Sequence, residues 1–580
     1  MTTPVSSAAS ESAGKSSRGV DVDSKGLKGG ALGLVSSIVI GMASTAPAYS
    51  LAASLGFIVI GGTAIAGVKA PAIVLLAFIP MFFIAIAYQE LNRAEPDCGT
   101  TFTWATRAFG PITGWMGGWG IIVADVIVMA NLAAIAGQAT FSLLGNLGWA
   151  AAAELSGNVF WSTVAGIIWI ALMTYVCYRG IEISARLQYW LLGIEVLVLV
   201  FFAGFALVKV YTGQGESYSL QPSLDWFNPF TLDFASVIAP TMLVAIFIYW
   251  GWDTAVAVNE ETKDPSKTPG RAAIISTLLL LATYGVVTMA TVAFAGVGDK
   301  GIGLANGENS ANVFDSIGPT LFGASAFGHV MVALLTISIL TSAAASTQTT
   351  ILPTSRTALS MAVYKAIPEK FARIHPKFLT PTWATVAMGI VSVVFYVGFT
   401  LVSPALLSAL IGSIGLMIAF YYGLTGFACT WFYRTTLTNS FRDFMMRGVF
   451  PFLGGAILLS IFAFGLAKFA EPDWLQYDDK NVTIFGIGAQ AVVGVGGLVL
   501  GAILMLVWRI MKPEFFRGET LSRRTDDLIL APGIARTARF GLPDSGPMPE
   551  VIAPDHSNLP PGQTAIDAST GEKPDPLAER

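Results

Sequence analysis

The run Tyr249-Trp250-Gly251-Trp252-Asp253-Thr254 interrupts an apolar, helix-length stretch, TMLVAIFIYWGWDTAVAVNEETKDPSKTPGR, from Thr241 to Arg271. It places an acid at the interruption and ends in a polar turn dense in Pro and Lys. Two further acids lie deep in apolar runs, Asp125 in GWGIIVADVIVMAN and Glu195 in LQYWLLGIEVLVLVFF. A carboxylate at the centre of an apolar span costs at least about 2.5–3.5 kcal/mol on insertion scales. Such acids usually face a cavity, where they hold a cation or carry a proton. A second disruption, Gly41-Met42-Ala43-Ser44-Thr45-Ala46-Pro47, collects small residues, hydroxyls and a proline inside VSSIVIGMASTAPAYSLAASLG. Proline at the first position of a resumed helix loses nothing, because its N–H would be unpaired there anyway. The N–H groups freed at that positive helix end can hold a carboxylate. A plain proline kink in a packed helix is the competing reading.

At the other disruption, carbonyls from about Ile248 to Trp252 become free to accept from an ammonium. Trp250 and Trp252 offer aromatic faces that close over a ligand, contact a cation, or simply pack in the core. Asp253 holds the ammonium directly or pins the broken backbone, and the second role is favoured. Asp125 contacts the cationic end of a diamine or basic amino acid, or bonds Asn131 or a hydroxyl on a neighbouring helix.

The elements that position these residues follow from composition. Of 580 residues, 54% are hydrophobic and 12% charged, against roughly 25% charged in an ordinary soluble protein, and the mean hydropathy is +0.66. This is an integral membrane protein. Net charge is -4 with no basic patch, which excludes nucleic acid as a partner. Cys98, Cys177 and Cys429 are far apart, as are His329, His375 and His556, so neither a disulfide framework nor a metal site has support. No Gly-x-x-x-x-Gly-Lys-Ser/Thr loop occurs, so movement of a solute must run on ion gradients or exchange. No cofactor and no enzyme chemistry is expected.

About twelve apolar segments are long enough to span a bilayer, at 31–60, 68–92, 110–141, 159–179, 186–210, 234–259, 271–297, 323–353, 382–402, 404–433, 447–468 and 485–510. With the N-terminus inside, the outer loops hold Lys69, Lys209, Lys300, Lys468 and Lys480, five of the 33 basic residues. Both termini are therefore expected to be cytoplasmic. Residues 1–30 and 515–580 read as disordered cytoplasmic tails: the first is rich in Ser, Gly and Lys, and the second becomes polar and Pro-rich. The Gly114 to Gly118 spacing and the Gly-rich last span read as close helix packing, consistent with a monomer or a weak homodimer.

Three separated stretches carry a resemblance. They are YQELNRAEPDCGTTFTWATRAFGPITGWMGGW, GWDTAVAVNEETKDPSKTPGR and TSRTALSMAVYKAIPEKFARIHPKFLTPTWA. In order and across roughly residues 30 to 435, they resemble the amino acid, polyamine and organocation transporter superfamily. The resemblance implies an all-α membrane fold in which spans 1–5 and 6–10 are inverted repeats, making residues 31–435 the core. Two more spans follow in 436–514. It pairs broken spans 1 and 6 around a midplane site, with Ala43, Ser44, Thr45 and Ala46 on one side and Tyr249, Trp250, Gly251, Trp252 and Asp253 on the other. Members commonly show Gly-x-Gly where this chain has Ala-Ser-Thr-Ala, which implies a less close backbone approach. The span 5 pattern places Glu195 where several proton-coupled relatives carry Lys. An acid there reverses the sign: Glu195 carries the coupling proton, helps to hold a sodium ion with Thr341 and Ser342, or is a protonated structural group.

The expected activity is import of an amino acid or related amine across a bacterial-type cytoplasmic membrane by alternating access, driven by protons. A polyamine or other organocation is the alternative substrate. A channel or a transporter-derived nutrient sensor is the alternative class.

Overall fold

The computed structural model describes residues 25–60, 66–309, 312–477, 480–523 and 525. Irregular backbone is tolerated at bilayer depth only where protein or a cavity satisfies it, and the helices here are interrupted at the two places where small residues and proline or glycine collect. The first span is α1 (Leu34–Ser44) followed by α2 (Pro47–Ile60), with Pro47 opening the resumed helix. α3 (Ala70–Ala94) is the second span, and a short α4 (Thr101–Phe109) lies before the third, α5 (Pro111–Asn146). After a two-turn α6 (Ala150–Ser156) come α7 (Val159–Arg179) and α8 (Ile181–Tyr211). The sixth span is short. A π-helical turn at Phe234–Ile238 leads into α9 (Ala239–Tyr249), the chain breaks, and α10 (Thr254–Ala257) adds one turn.

The remainder comprises α11 (Thr268–Ala295), α12 (Val313–Phe322), α13 (Ala326–Val363), α14 (Thr382–Val402), α15 (Pro404–Phe432), α16 (Phe441–Asp443), α17 (Phe450–Phe469) and α18 (Ala489–Met511). Two tiny hairpins fill the loop before α18, Gln476–Tyr477 with Lys480–Asn481 and Thr483–Ile484 with Ile487–Gly488. Among the described residues, eleven helices are long and apolar enough to cross a membrane, and Phe234–Tyr249 is a shorter apolar helix. Counting it, the described residues are consistent with the expected number of about twelve spans. The chain is an all-α multi-pass membrane protein.

Residue size dictates the packing. α5 meets α7 at glycines, since a Cβ at Gly137 would lie 2.0 Å from the Ser162 carbonyl and one at Gly166 2.5 Å from the Ala133 carbonyl. Gly114 and Gly118 turn inward as well: a Cβ on the first would strike Thr106 at 1.8 Å, and on the second Met361 at 2.9 Å. Their spacing therefore serves contacts within the chain. α7, α8, α14 and α18 form much of the apolar outside, exposing Trp190, Leu197, Val394, Ile503 and Ile510.

Short parts of both expected tails, 25–30 and 515–523, are among the described residues. Residues after α18 fold back: Phe515 is buried against Phe102 with ring centroids 5.4 Å apart, and Thr520 Oγ1 donates to the Tyr364 carbonyl at 2.6 Å. Arg107 Nη1 donates to the Ser522 carbonyl at 2.8 Å. Two apolar anchors, Phe515 and Leu521, suffice to dock a segment whose polar, Pro-rich continuation hides them in the composition. At the other end, Lys25 and Leu32 are buried. The rest of both expected tails, 1–24 and 524–580 apart from Thr525, lies outside the described residues.

The two interruptions lock into each other. Ser44 Oγ and Thr254 Oγ1 are 2.8 Å apart, Ser346 Oγ on α13 donates to the Ser44 carbonyl at 2.9 Å, and Gly251 has φ +122°, where a Cβ would lie 2.7 Å from the Ser44 carbonyl. Just past α10, Glu261 receives Arg356 of α13 through two bonds of 2.9 Å, both side chains fully buried.

Glu261→Gln leaves that guanidinium without a countercharge and should cost about 3–5 kcal/mol, read as a large drop in Tm in detergent. A paired Glu261→Met, Arg356→Met change should recover most of it. Gly251→Ala combines a disfavoured φ with a carbonyl clash and should cost at least about 1–3 kcal/mol. An unchanged Tm would contradict the close approach of the two breaks.

Candidate functional site

The site is best described from its backbone donors and acceptors. At the first break, Thr45 N–H donates to Met42 O at 3.1 Å and Ala46 N–H to Ala43 O at 3.2 Å, while Ala46 itself takes φ +48°. Ser50 N–H donates to Ala46 O at 2.7 Å. That leaves the N–H groups of Ala48 and Tyr49 at the start of α2. Glu195 Oε1 accepts from Ala48 N–H at 2.7 Å and from Ser342 Oγ at 2.7 Å. Tyr49 N–H donates to Ser342 Oγ at 3.1 Å. A side-chain carboxylate thus occupies the positive helix end where a substrate carboxylate was expected.

Among the described residues, Glu195 Oε2 has no hydrogen-bond partner. Of the two hydroxyls expected beside it, Ser342 is in contact, whereas Thr341 Oγ1 donates at 3.1 Å to Ser338 O of its own helix.

At the second break the turn closes on some carbonyls and skips others. Trp250 N–H donates to Phe247 O, Thr254 N–H to Gly251 O, Ala255 N–H to Trp252 O and Val256 N–H to Asp253 O, at 2.8–3.1 Å. Among the described residues, no hydrogen bond closes on the carbonyls of Ile248, Tyr249 or Trp250. These are acceptors of the kind an ammonium needs. Asp253 Oδ2 accepts from the Tyr421 hydroxyl at 3.1 Å, and the same hydroxyl accepts from Trp250 Nε1. Trp252 is fully buried between Tyr88 and Tyr422, with centroids at 5.2 and 5.3 Å. Tyr249 packs edge-on to Tyr284, whose hydroxyl reaches toward Thr45 O at 3.5 Å and so links the two breaks.

Asp125 on α5 accepts from Thr354 Oγ1 of α13 at 2.5 Å. Asn131, the alternative partner expected for it, instead accepts from the Tyr49 hydroxyl. Ala43, Ser44, Thr45, Ala46, Tyr249, Trp250, Trp252 and Asp253 are all buried, so the region between the breaks is closed in this conformation.

Charge sorts the buried acids into two groups. Six are buried among the described residues: Glu90, Asp97, Asp125, Glu195, Asp253 and Glu261. Glu90 pairs with Arg442 and Arg447, Asp97 with Lys25, and Glu261 with Arg356. Among the described residues, no such cation lies within ion-pair distance of Asp125, Glu195 or Asp253. Among the described residues, the Tyr249 hydroxyl and Trp252 Nε1 are also buried without a partner. Unsatisfied polar atoms of this kind cost roughly 1–3 kcal/mol each.

Tyr88, Tyr421, Tyr422, Ser346 and Thr354 are site residues that the sequence did not single out. The adjacent tyrosines of FYYG and the hydroxyl-rich SAAASTQTTILPTS, both inside apolar spans, were the available signals.

The comparisons agree with this architecture. A family model described as amino acid permease matches residues 32–500. An uncharacterized transporter of Mycobacterium tuberculosis is 25% identical over 472 residues, covering 79% of this chain and 90% of the relative. The branched-chain amino acid permease BcaP of Bacillus subtilis is 25% identical over 55% of this chain and 64% of its own length. The methylthioribose transporter of the same organism is 26% identical over 58% of this chain and 70% of its own. With a match spanning most of its length, eleven candidate spans among the described residues and two interlocked broken helices, the chain belongs to the amino acid permease family of membrane transporters.

Proposed function

We propose that this protein is a secondary transporter that imports an amino acid or related amine across the cytoplasmic membrane, with both termini inside, and that the coupling ion is a proton carried by Glu195. The observation that carries the reading is the group of three buried, cation-free carboxylates around two broken helices. Burying a charge without a partner is costly. Asp125 and Asp253 therefore supply the countercharge for an ammonium, together with the open carbonyls of Ile248 to Trp250.

Glu195 supplies the coupling through competition. Its carboxylate holds the Ala48 N–H directly and the Tyr49 N–H through Ser342. A substrate carboxylate can take those donors only when Glu195 gives them up, and protonation removes the charge that holds it there. Proton and substrate arrival would then favour each other, which is a symporter's requirement. Sodium held between Glu195 and Ser342 is the alternative ion.

A second reading has its own support. Every N–H at the first break is engaged, and the buried Arg356 is committed to Glu261. A site rich in acceptors and short of free donors favours an amine without a carboxylate, such as a diamine. The relatives named above as amino acid and methylthioribose carriers are consistent with a family that varies its solute on one scaffold.

In proteoliposomes, an inward proton gradient should stimulate saturable uptake of the solute, and replacing sodium with choline should leave it unchanged. Conductance far above carrier turnover would instead indicate a channel, and binding without flux a sensor. Glu195→Gln should abolish gradient-driven accumulation while sparing exchange, whereas unchanged accumulation would sink the proton-carrier assignment. Asp125→Asn and Asp253→Asn should each raise KM at least tenfold for an amine substrate, with little effect if these acids are purely structural.

A further inference from the structure

Lys25 lies nine residues before α1 in KGLKGGALGL and is only 2% exposed. Its backbone takes φ +39°, a conformation L residues rarely adopt. Its Nζ lies 2.7 Å from Asp97 Oδ2, 2.7 Å from Glu260 Oε1 and 3.5 Å from Ser360 Oγ, and 5.6 Å above the Tyr364 ring. Three separate parts of the chain meet at one ammonium: the turn between α3 and α4, the segment after α10, and the end of α13.

The surroundings are built for a cation. Asp97 Oδ1 accepts from Gly99 N–H at 2.7 Å, Thr103 Oγ1 at 2.9 Å and Ser360 Oγ at 2.7 Å, and Oδ2 accepts from the Tyr364 hydroxyl at 3.0 Å. Glu260 Oε1 also accepts from Cys98 N–H at 3.0 Å. Burial works against charge on Lys25, yet the neighbouring carboxylates, Asp97 foremost, outweigh it and hold its pKa well above the usual lysine range. Ligating atoms of Asp97, Cys98 and Glu260 all lie within 4.8 Å of one another. With the ammonium withdrawn, two carboxylates at that separation repel.

The segment from Lys25 to α1 is fastened at its other end too. Leu32 N–H donates to Glu261 O at 3.0 Å, and Lys263 N–H donates to Leu32 O at 2.9 Å. α1 forms one side of the first break, and Glu261 lies just beyond the second. Opening of the N-terminal face by movement of α1 therefore has to draw Lys25 out of its pocket. We infer that Lys25 is a latch for that face, tying Asp97 to Glu260 while the face is closed and withdrawing when it opens. The inference rests on the reading above in that it requires two access states. It adds a residue outside the substrate site that sets the balance between them.

Cys98 is a native reporter of the latch. Its Sγ is 3.6 Å from Lys25 Nζ, and all three cysteines are buried. The full chain in membranes would be alkylated with N-ethylmaleimide and the rate at each cysteine followed by mass spectrometry. Lys25→Gln should speed alkylation of Cys98 at least tenfold and leave Cys177 and Cys429 at wild-type rates. Glu260→Gln, which keeps Lys25 but removes one of the two carboxylates, should do the same to a smaller degree. The latch is overturned if Cys98 is no faster in either variant, or if all three cysteines accelerate together in both, because that pattern is general loosening rather than a local opening. The measurement needs no transported solute, so failure of the transport reading would appear separately, as absent uptake with the labelling pattern intact.

Discussion

A helix interrupted inside hydrocarbon must find partners for every donor and acceptor it releases, and the organisation of this protein follows from how two such interruptions meet that requirement. Each break satisfies part of its own backbone by tight turns, from Thr45 and Ala46 back to Met42 and Ala43, and from Thr254 to Val256 back to Gly251, Trp252 and Asp253. The rest is satisfied by neighbours. Ser346 of α13 takes the Ser44 carbonyl, Ser342 and Glu195 take the start of α2, and Ser44 meets Thr254 across the gap. The helices that supply these side chains, α8 and α13, are thereby fixed against both breaks. Among the described residues, Glu195 Oε2 beside the first break and the Tyr249 hydroxyl and Trp252 Nε1 at the second remain without a partner.

Electrostatics divides the molecule along the same line. Buried acids toward the chain's N-terminal face are paired with Arg or Lys and act as fasteners, as Glu261 with Arg356 and Glu90 with Arg442 and Arg447 do. Those at the breaks and on the helices beside them are held only by neutral hydroxyls and backbone N–H groups. Fasteners gain from an unchanging partner, whereas a group that has to bind and release must keep its partner outside the protein. The same distinction explains why the aromatic cluster of Tyr88, Trp252 and Tyr422 is packed so fully beside an acid: it excludes water without offering a competing charge.

The sequence displayed the breaks and the acids because each is an exception within an apolar run. Pro47 after Ser44-Thr45-Ala46 and Gly251 between two tryptophans mark the two interruptions to within a residue or two. Hydroxyls are harder to read. Ser342, Ser346 and Thr354 share α13 with many other Ser and Thr, most of which return their hydrogen to a carbonyl one turn back, as Thr347 and Thr349 do. Nothing local separates those that reach across to another helix. Tyr421 was lost for a similar reason, as a tyrosine in a span is ordinarily a packing residue. Lys25 and Phe515 were absorbed into the composition of the tails around them, although single anchors decide where a segment docks. The sixth span illustrates the opposite case: at Phe234–Tyr249 it is short for a bilayer, and it was recognisable because its sequence carried on through the break.

The three carboxylates without countercharge also bear on voltage. They lie on spanning helices or at a break between helix segments, across which a membrane potential falls, and moving one elementary charge through 100 mV exchanges about 2.3 kcal/mol. A carboxylate that is ionised when empty and neutralised by its cation leaves the empty protein, rather than the loaded one, as the species on which the field acts. On the proposed reading, an interior-negative potential pushes an ionised, unloaded site back toward the outside, so that work stored in the voltage would be delivered on the return stroke.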